Sequence, residues 1–376
     1  MAAKKPTAGV QSKAAREKAA LEAMDDIAKA IYDDLKAAEI PQVELSSRNK
    51  TNIVFDERHR VWKYGKELTT RSARTLDGAY MLLRTMYISE FIKDMIRQNK
   101  SSTLREMYYI SEGWGHGKFH SQDESDLLAE DLEVMTGALR EDFKLRPEEN
   151  GAAMIGDLKV VETTRSGVKR TLHCQDDVGD AGYNIPYNVE PERLQFKDVK
   201  TDFVIAIETG GMFARLVENG FDTKHNCTLV HLKGQPARST RRLIKRLAEE
   251  AKQAVVVFTD GDPWSFRIHA SVAYGAIKTA HISEYLATPT AQFLGVTPSD
   301  IVNYDLPTDK LTDKDLDALR AELEDPRFDD DYWRGEINLQ LEMQKKSEQQ
   351  ALAKYGLDFV TDTYLPEKLT EMGILK

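Results

Sequence analysis

The sequence predicts an α/β chain of more than one domain, in which a helical, winged domain is followed by a parallel β-sheet covered by helices. Three observations predict it. Apolar residues recur at helical spacing through 74–98, in a short segment after Thr103 and through 121–140, and two strand-like runs, 154–161 and 168–172, follow around a Ser166-Gly167 turn. Farther on, three short runs rich in β-branched residues, 203–207, 228–232 and 254–258, alternate with helical segments around 213–218 and 239–252. That β-α-β-α-β order calls for crossover connections, so the strands run parallel with helices on both faces. Finally, 376 residues exceed what one compact core usually holds.

Composition narrows the class. Hydrophobic residues make up 41% and charged residues 30%, the balance of a globular chain with real cores. A formal net charge of −10 argues against a surface that coats nucleic acid throughout and allows only a local basic groove. The two cysteines, Cys174 and Cys227, stand outside any C-x-x-C or Cys/His cluster, so neither zinc nor a disulfide framework is expected and a reducing cytoplasm fits. The start lacks the apolar core of a signal peptide and the apolar runs are strand-sized, so no membrane span or export is expected.

Taken in order, the residues up to Ser12 mix Lys, Ala, Pro and Gly and read as a flexible arm, and 14–38 as an amphipathic helix. Amphipathicity serves a partner-docking helix and a solvated terminal helix equally well. Stretches 51–55 and 60–64 alternate like a small hairpin. Leu76, Tyr80, Leu83, Met86, Tyr87, Phe91 and Met95 share one face of a long helix. Thr103 and Glu106 match the Ser/Thr-x-x-Glu capping box, so Thr103 caps a short helix bearing Arg105, Tyr108 and Tyr109. Gly113, Gly115 and Gly117 break the pattern before the third helix; three helices and a two-stranded wing make a winged helix-turn-helix. Residues 175–200 lack periodicity and are rich in Asp, Gly, Pro and Asn, as in a linker. After Ala287 the chain turns acidic and helical: Thr312 caps one helix, Asp325-Pro326 ends it, and a polar helix covers 333–354. The expected domains are therefore an arm, helix and hairpin at 1–68, a winged-helix domain at 69–174, a linker at 175–200, and the sheet domain with its helical extension at 201–376.

Two groups of residues carry chemistry. Glu208 follows the first strand of the sheet, and Asp260-Gly261-Asp262 the third, which puts three carboxylates at the carboxyl edge of parallel strands, where open α/β sheets bind ligands. Oxygen donors without His or Cys select magnesium or another hard divalent cation. Any one acidic residue there is more often a turn former; three on adjacent turns shift the balance. A phosphatase with a phosphorylated aspartate is the competing chemistry, although its D-x-D loop normally opens the domain, whereas Glu208 precedes it here. In the first domain Arg105 and Tyr109, four residues apart on one helix, share a face, which favours Tyr109 over Tyr108. A phenol is a weak nucleophile at neutral pH, so a guanidinium beside it and a metal beyond would help. Taken alone, two tyrosines on a short helix are more often packing residues.

Together these segments resemble a known family. Thr103-Leu-Arg-Glu-Met-Tyr-Tyr109 is similar to the nucleophile motif shared by topoisomerase VI A subunits and the meiotic double-strand-break transesterase, in which the second tyrosine attacks DNA. Residues 203–211 (FVIAIETGG) and 255–262 (VVVFTDGD) resemble that family's Toprim motifs, and Lys233-Gly-Gln-Pro236 with Thr240-Arg241 its connector, over roughly residues 70 to 280 in the same order. The match is imperfect around 151–156.

The resemblance implies a CAP-like winged-helix domain carrying Tyr109 and a Toprim domain carrying Glu208, Asp260 and Asp262 as magnesium ligands. It implies a DNA-cleaving subunit of an ATP-dependent type IIB topoisomerase that forms a reversible 5′-phosphotyrosyl break, with Arg105 steadying charge at the phosphate. It also implies a homodimer, each tyrosine working with the partner protomer's metal site, and a GHKL-type ATPase B subunit completing an A2B2 heterotetramer. No G-x-x-x-x-G-K-[ST] loop occurs here, so ATP is expected on that partner. The densest basic segment, Lys233, Arg238, Arg241, Arg242, Lys245 and Arg246, is a candidate DNA contact, although such helices are more often simply solvated. The alternatives are a meiotic transesterase using the same chemistry, a Toprim or phosphatase-like metal hydrolase without a protein adduct, and a winged-helix DNA-binding protein with a degenerate metal fold. The expected location is the cytoplasm, at the nucleoid of a prokaryote.

Overall fold

A computed structural model describes residues 12–146, 152–164 and 166–375, so the arm expected before Ser12 lies outside the described residues. The described chain forms two compact units. One falls within Met1–Val54, Trp62–Glu149 and Ile277–Tyr285, the other within Phe55–Val61, Asn150–Ala276 and Leu286–Lys376.

The first unit is mainly helical. Helix α1, Lys13–Lys36, starts where Ser12 accepts a hydrogen bond from the Ala15 N–H. Its Arg16, Ala20, Ala23 and Met24 are buried while Tyr32 and Leu35 stay exposed, so a single face is spent on the core. Strand β1, Gln42–Ser46, pairs antiparallel with β4, Leu68–Ser72; between them in sequence, β2, Ile53–Asp56, and β3, Val61–Tyr64, form a two-stranded sheet whose residues 55–61 belong to the second unit. Helix α2, Leu76–Arg97, is capped by Thr75. Strand β5, Ser102–Thr103, leads into α3, Leu104–Ile110, and α4 covers Gln122–Thr136. The sequence periodicity carries α4 on to 140, but Gly137 takes a left-handed φ of 69° and ends it. Strand β6, Leu145–Arg146, then pairs parallel with β5. Met24, Ile88, Ile92, Met107, Leu128 and Leu132 from these helices and Phe143 from the turn after α4 share one core.

The strands expected as the wing of this unit belong instead to the second. They are β7, Ala153–Ile155, β8, Lys159–Thr163, and β9, Lys169–His173; β8 and β9 pair as the expected hairpin. Met154, Leu158 and Val160 bury themselves against Val204, Val230 and Leu243 of the second unit's core, which decides where the strands reside.

Nor is 175–200 a linker. It contains β10, Tyr183–Asn184, which pairs with β7, and β11, Leu194–Lys197, which pairs with β8. Tyr183, Ile185, Val189 and Leu194 are buried, and the guanidinium of Arg246 donates to the carbonyls of Val189 and Leu194. Backbone acceptors met by a distant arginine leave no periodic trace in the sequence.

The expected β-α-β-α-β core is present. Strands β12, Phe203–Ile207, β13, Cys227–His231, β14, Ala254–Phe258, and β15, Gln292–Gly295, run parallel within a six-stranded sheet ordered β10-β7-β13-β12-β14-β15. Phe203, Ile205 and Ile207 face one core while Val204 and Ala206 face another, so both faces are covered. Helices α5, Gly210–Glu218, and α6, Phe221–Lys224, lie between β12 and β13. Helix α7, Arg238–Glu250, follows β13, and α8, Pro263–Tyr274, follows β14. The polar helix expected over 333–354 is Asp331–Met343; Gln344 turns left-handed at φ 53° and a 3-10 segment, Gln349–Tyr355, comes after.

Candidate active site

Helix α3 is short, so its ends decide whether it forms. The capping box is complete: Thr103 N–H donates to Glu106 Oε2 at 2.7 Å, and Glu106 N–H donates to Thr103 Oγ1 at 3.0 Å. The Thr103 N–H holds the exposed Glu106 carboxyl below the usual carboxylate range. Met107 is fully buried and Tyr108 packs on the helical core, which fixes the face that α3 turns outward. On that face Tyr109 is 59% exposed, and the Arg105 guanidinium carbon lies 6.0 Å from its ring centroid. The four-residue spacing thus does bring Arg105 and Tyr109 together.

In the second unit the carboxyl ends of β12 and β14 are neighbours, Ile207 standing opposite Phe258. Glu208 therefore meets the loop after β14: its Oε2 accepts the Asp260 N–H at 3.0 Å and the Ser265 hydroxyl at 2.8 Å. Asp260 Oδ1 accepts the Gln349 N–H at 2.8 Å, and Gln349 Nε2 donates to the Phe258 carbonyl at 3.1 Å. Asp262 is the N-cap of α8, its Oδ1 accepting the Ser265 N–H at 2.8 Å. Gly261 serves close approach: its N–H donates to the Ser347 carbonyl at 2.7 Å, and a Cβ there would stand 3.1 Å from the Val296 carbonyl oxygen.

Burial raises the Glu208 pKa against hydrogen bonds from Asp260 and Ser265, with the charge of Asp262 adding to the rise. Burial pushes Asp260 up to about 7, opposed by the Gln349 N–H and reinforced by the charges of Glu208 and Asp262. Among the described residues none of the three carboxylates has a Lys or Arg ion-pair partner, and no three carboxylate, His or Cys groups close around an ion position. The Glu208 and Asp260 loops are tied directly, while Asp262 acts on them through its charge. Partly buried oxygen donors without a direct ion pair fit a hard divalent cation.

Sequence reasoning missed Ser265 and Gln349. The first had a signal, since Asp262-Pro263 reads as an N-cap followed by proline and places Ser265 at the third helical position. Gln349 had none, being 89 residues from the aspartate that it serves.

The basic segment divides. Lys233 is exposed, with φ 60°. Arg242, expected as a DNA contact, is buried and donates to Glu190 at 3.0 Å, and Arg246 is buried on Glu250 and two carbonyls; both serve the fold. Lys245 donates to the Ala287 carbonyl and pairs with Glu249. Arg241 is buried with no carboxylate beside it among the described residues, donating to Ser271 Oγ at 3.3 Å. Arg238 is half-buried at the first position of α7.

Comparison with known proteins identifies the family. The family described as type IIB DNA topoisomerase matches residues 80–145, the all-beta domain in DNA topoisomerase VI alpha subunit matches 148–200, and the Toprim domain shared by the topoisomerase 6 A subunit and Spo11 matches 203–369. The A subunit of type 2 DNA topoisomerase 6 from Archaeoglobus fulgidus is 60% identical over 359 residues, 96% of this chain and 99% of the relative. Proteins of the same name from Natronomonas pharaonis and Halobacterium salinarum are 57% and 56% identical, over 95% and 93% of this chain and 96% and 95% of theirs. Identity of that level over nearly the whole length places the chain in the type IIB DNA topoisomerase VI A-subunit family.

Proposed function

We propose that this chain is the DNA-cleaving component of a type IIB topoisomerase, with Tyr109 as nucleophile. The observation that carries the assignment is the division of labour on α3: Tyr108 is committed to the core, while Tyr109 is held outward beside Arg105. In the reaction the Tyr109 hydroxyl attacks a backbone phosphorus in line. The new bond joins the phenolic oxygen to phosphorus, the bond to the 3′ oxygen breaks, and that oxygen takes up a proton as the phenol loses one. The product is a 5′-phosphotyrosyl link. One phosphodiester replaces another, so resealing is the same step reversed and needs no ATP for the chemistry. Arg105 steadies the charge that builds on the phosphate oxygens.

Glu208, Asp260 and Asp262 would hold magnesium, which when bound supplies neutralisation of charge on the phosphate and the departing oxygen. Supporting this are the all-oxygen donor set and the lack, among the described residues, of a direct ion pair to any of the three carboxylates, Lys346 acting on Asp262 only through its charge. Ser265 and Gln349 act as positioning residues, fixing Glu208 and Asp260 through their hydrogen bonds.

Each chain has one Tyr109, so a double-strand break requires two copies, and a two-fold dimer is the simplest assembly. The relatives are named as one lettered component of their enzyme, which supports a second component; a GHKL-type ATPase B subunit in an A2B2 heterotetramer fits the missing phosphate-binding loop in this chain. Work on chromosomal DNA implies a cytoplasmic complex, and no described helix is long and apolar enough to cross a membrane.

The test is covalent capture. The chain is incubated with its ATPase partner, magnesium and uniformly labelled supercoiled DNA, then denatured and separated. Label should travel with the native chain and be lost with Tyr109→Phe. Equal label on both would remove Tyr109 from the mechanism.

A further inference from the structure

The amino-terminal turn of α7 lacks the groups that normally complete a helix start. Its N-cap is Ala237, which has no side-chain acceptor, and its first turn contains no acidic residue. The helix is 13 residues long, so the partial positive charge of its uncapped N–H groups is fully developed at this end.

Three side-chain atoms of the same turn also lack partners. Ser239 Oγ, Thr240 Oγ1 and Arg241 Nε are buried without a hydrogen-bond partner, and the residues are 4%, 0% and 7% exposed. Burial lowers the Arg241 pKa to about 10, and no carboxylate beside it among the described residues offsets that burial. A buried guanidinium without an anion is among the costlier arrangements in a fold. Its direction is fixed: Arg241 Nη1 and Gln235 Nε2 both donate to Ser271 Oγ, at 3.3 and 2.9 Å, so the guanidinium turns back toward the loop that precedes the helix. Arg242 and Arg246 on the same helix have acidic partners, Glu190 and Glu250, which makes Arg241 the exception.

We propose that Gln235, the first-turn N–H groups of α7, Ser239 and Arg241 form a phosphate-binding subsite, and that its occupant is a backbone phosphate of the DNA being cut. The inference rests on the DNA-cleaving function proposed above. A DNA phosphate is favoured over a free one because the preceding loop is bound to the metal edge: the Gly234 N–H donates to the Glu208 carbonyl at 3.0 Å. A phosphate here therefore lies on the strand whose neighbour is handled by Glu208, and the exposed Lys233 continues the same loop toward solvent.

The deciding variant is Ala237→Asp in the full chain. Aspartate is a favourable N-cap, so a purely structural helix start is left as stable or made more so, while its carboxylate occupies and repels the anion position. Two measurements are made on native and variant chains: melting temperature with inorganic phosphate against chloride at matched ionic strength, and affinity for a fluorescent duplex across a salt series. Phosphate should raise the native melting temperature and leave that of the variant unmoved. The variant should bind duplex about tenfold more weakly, with a log–log salt slope shallower by about one. If phosphate protects the native chain but duplex affinity and slope are the same in both, the occupant is free phosphate and the DNA assignment is overturned. If the native chain responds to neither, there is no subsite. Both failures leave the Tyr109 adduct assay untouched, so they are distinguishable from failure of the function itself.

Discussion

Glu208 accepts the backbone N–H of Asp260 at 3.0 Å, so the carboxylate at the end of one strand organises the loop after its neighbour. Glu208→Gln keeps an oxygen acceptor for that N–H and for the Ser265 hydroxyl while removing a charge that burial disfavours. Without divalent cation the variant should be as stable as the native chain or more so, by on the order of 1 kcal/mol in urea denaturation. Formation of the covalent DNA adduct should nevertheless fall by about a hundredfold or more. Stability lost together with activity would make Glu208 a structural residue.

Asp260 gives the same site a pH signature. Its folded pKa of about 7 lies above the ordinary aspartate value of 3.8 because burial favours the protonated form. The stability associated with that proton is complete below the unfolded value and is lost as pH rises through about 7. A divalent cation competes with the same proton, so its stabilising effect runs in the opposite sense. The rise in melting temperature on adding magnesium chloride should be small at about pH 5.5 and large at about pH 8, and Asp260→Asn should flatten it. A magnesium effect that is equal at both values would detach Asp260 from the cation.

Tyr108 and Tyr109 separate packing from chemistry on adjacent positions. Tyr109 is 59% exposed, so Tyr109→Phe should leave the melting temperature unchanged and abolish the adduct. Tyr108 is packed on the helical core; Tyr108→Ala should cost about 1–3 kcal/mol by urea denaturation, and the adduct should persist in the folded fraction.

Arg242 and Lys233 make the corresponding separation in the basic segment. Arg242→Ala removes the guanidinium paired with the buried Glu190 carboxylate and should cost about 3 kcal/mol, with no change in the salt slope of duplex binding. Lys233→Gln should be neutral within about 0.5 kcal/mol and should weaken duplex binding, with a slope shallower by about one. A salt-slope change in Arg242→Ala that equals that of Lys233→Gln would return Arg242 to the DNA surface.

What the sequence made legible was local. The capping box, the alternation of strands and helices in the sheet domain, and the carboxylates after β12 and β14 are written in consecutive residues, where period and turn chemistry act. What it hid was settled by partners far along the chain. The strands β7 to β9 look like a wing until Met154, Leu158 and Val160 are seen against Val204 and Val230. Residues 175–200 look like a linker because their carbonyls are met by Arg246 rather than by neighbours. Arg242 looks like a phosphate contact because Glu190, its counter-ion, lies 52 residues away. Charge read along one helix says where cations are, not which of them the fold has already used.

The capping box bears directly on catalysis, since a helix as short as Leu104–Ile110 has little propensity of its own to hold Tyr109. Thr103→Ala removes the acceptor for the Glu106 N–H and should cost about 1 kcal/mol of stability. Adduct formation should fall further than that loss alone explains, because fraying of the first turn displaces Arg105 relative to Tyr109. Thr103→Ser keeps the oxygen and should restore both. The Glu106 half of the box has the opposite pH sense to Asp260. Its folded pKa is depressed by the Thr103 N–H, so its contribution is present above the ordinary glutamate value of 4.5 and disappears as pH falls through the folded value. Adduct rates for Thr103→Ser and Thr103→Ala, compared at equal folded fraction, check the claim. If the two variants react alike, the cap stabilises α3 without positioning its tyrosine.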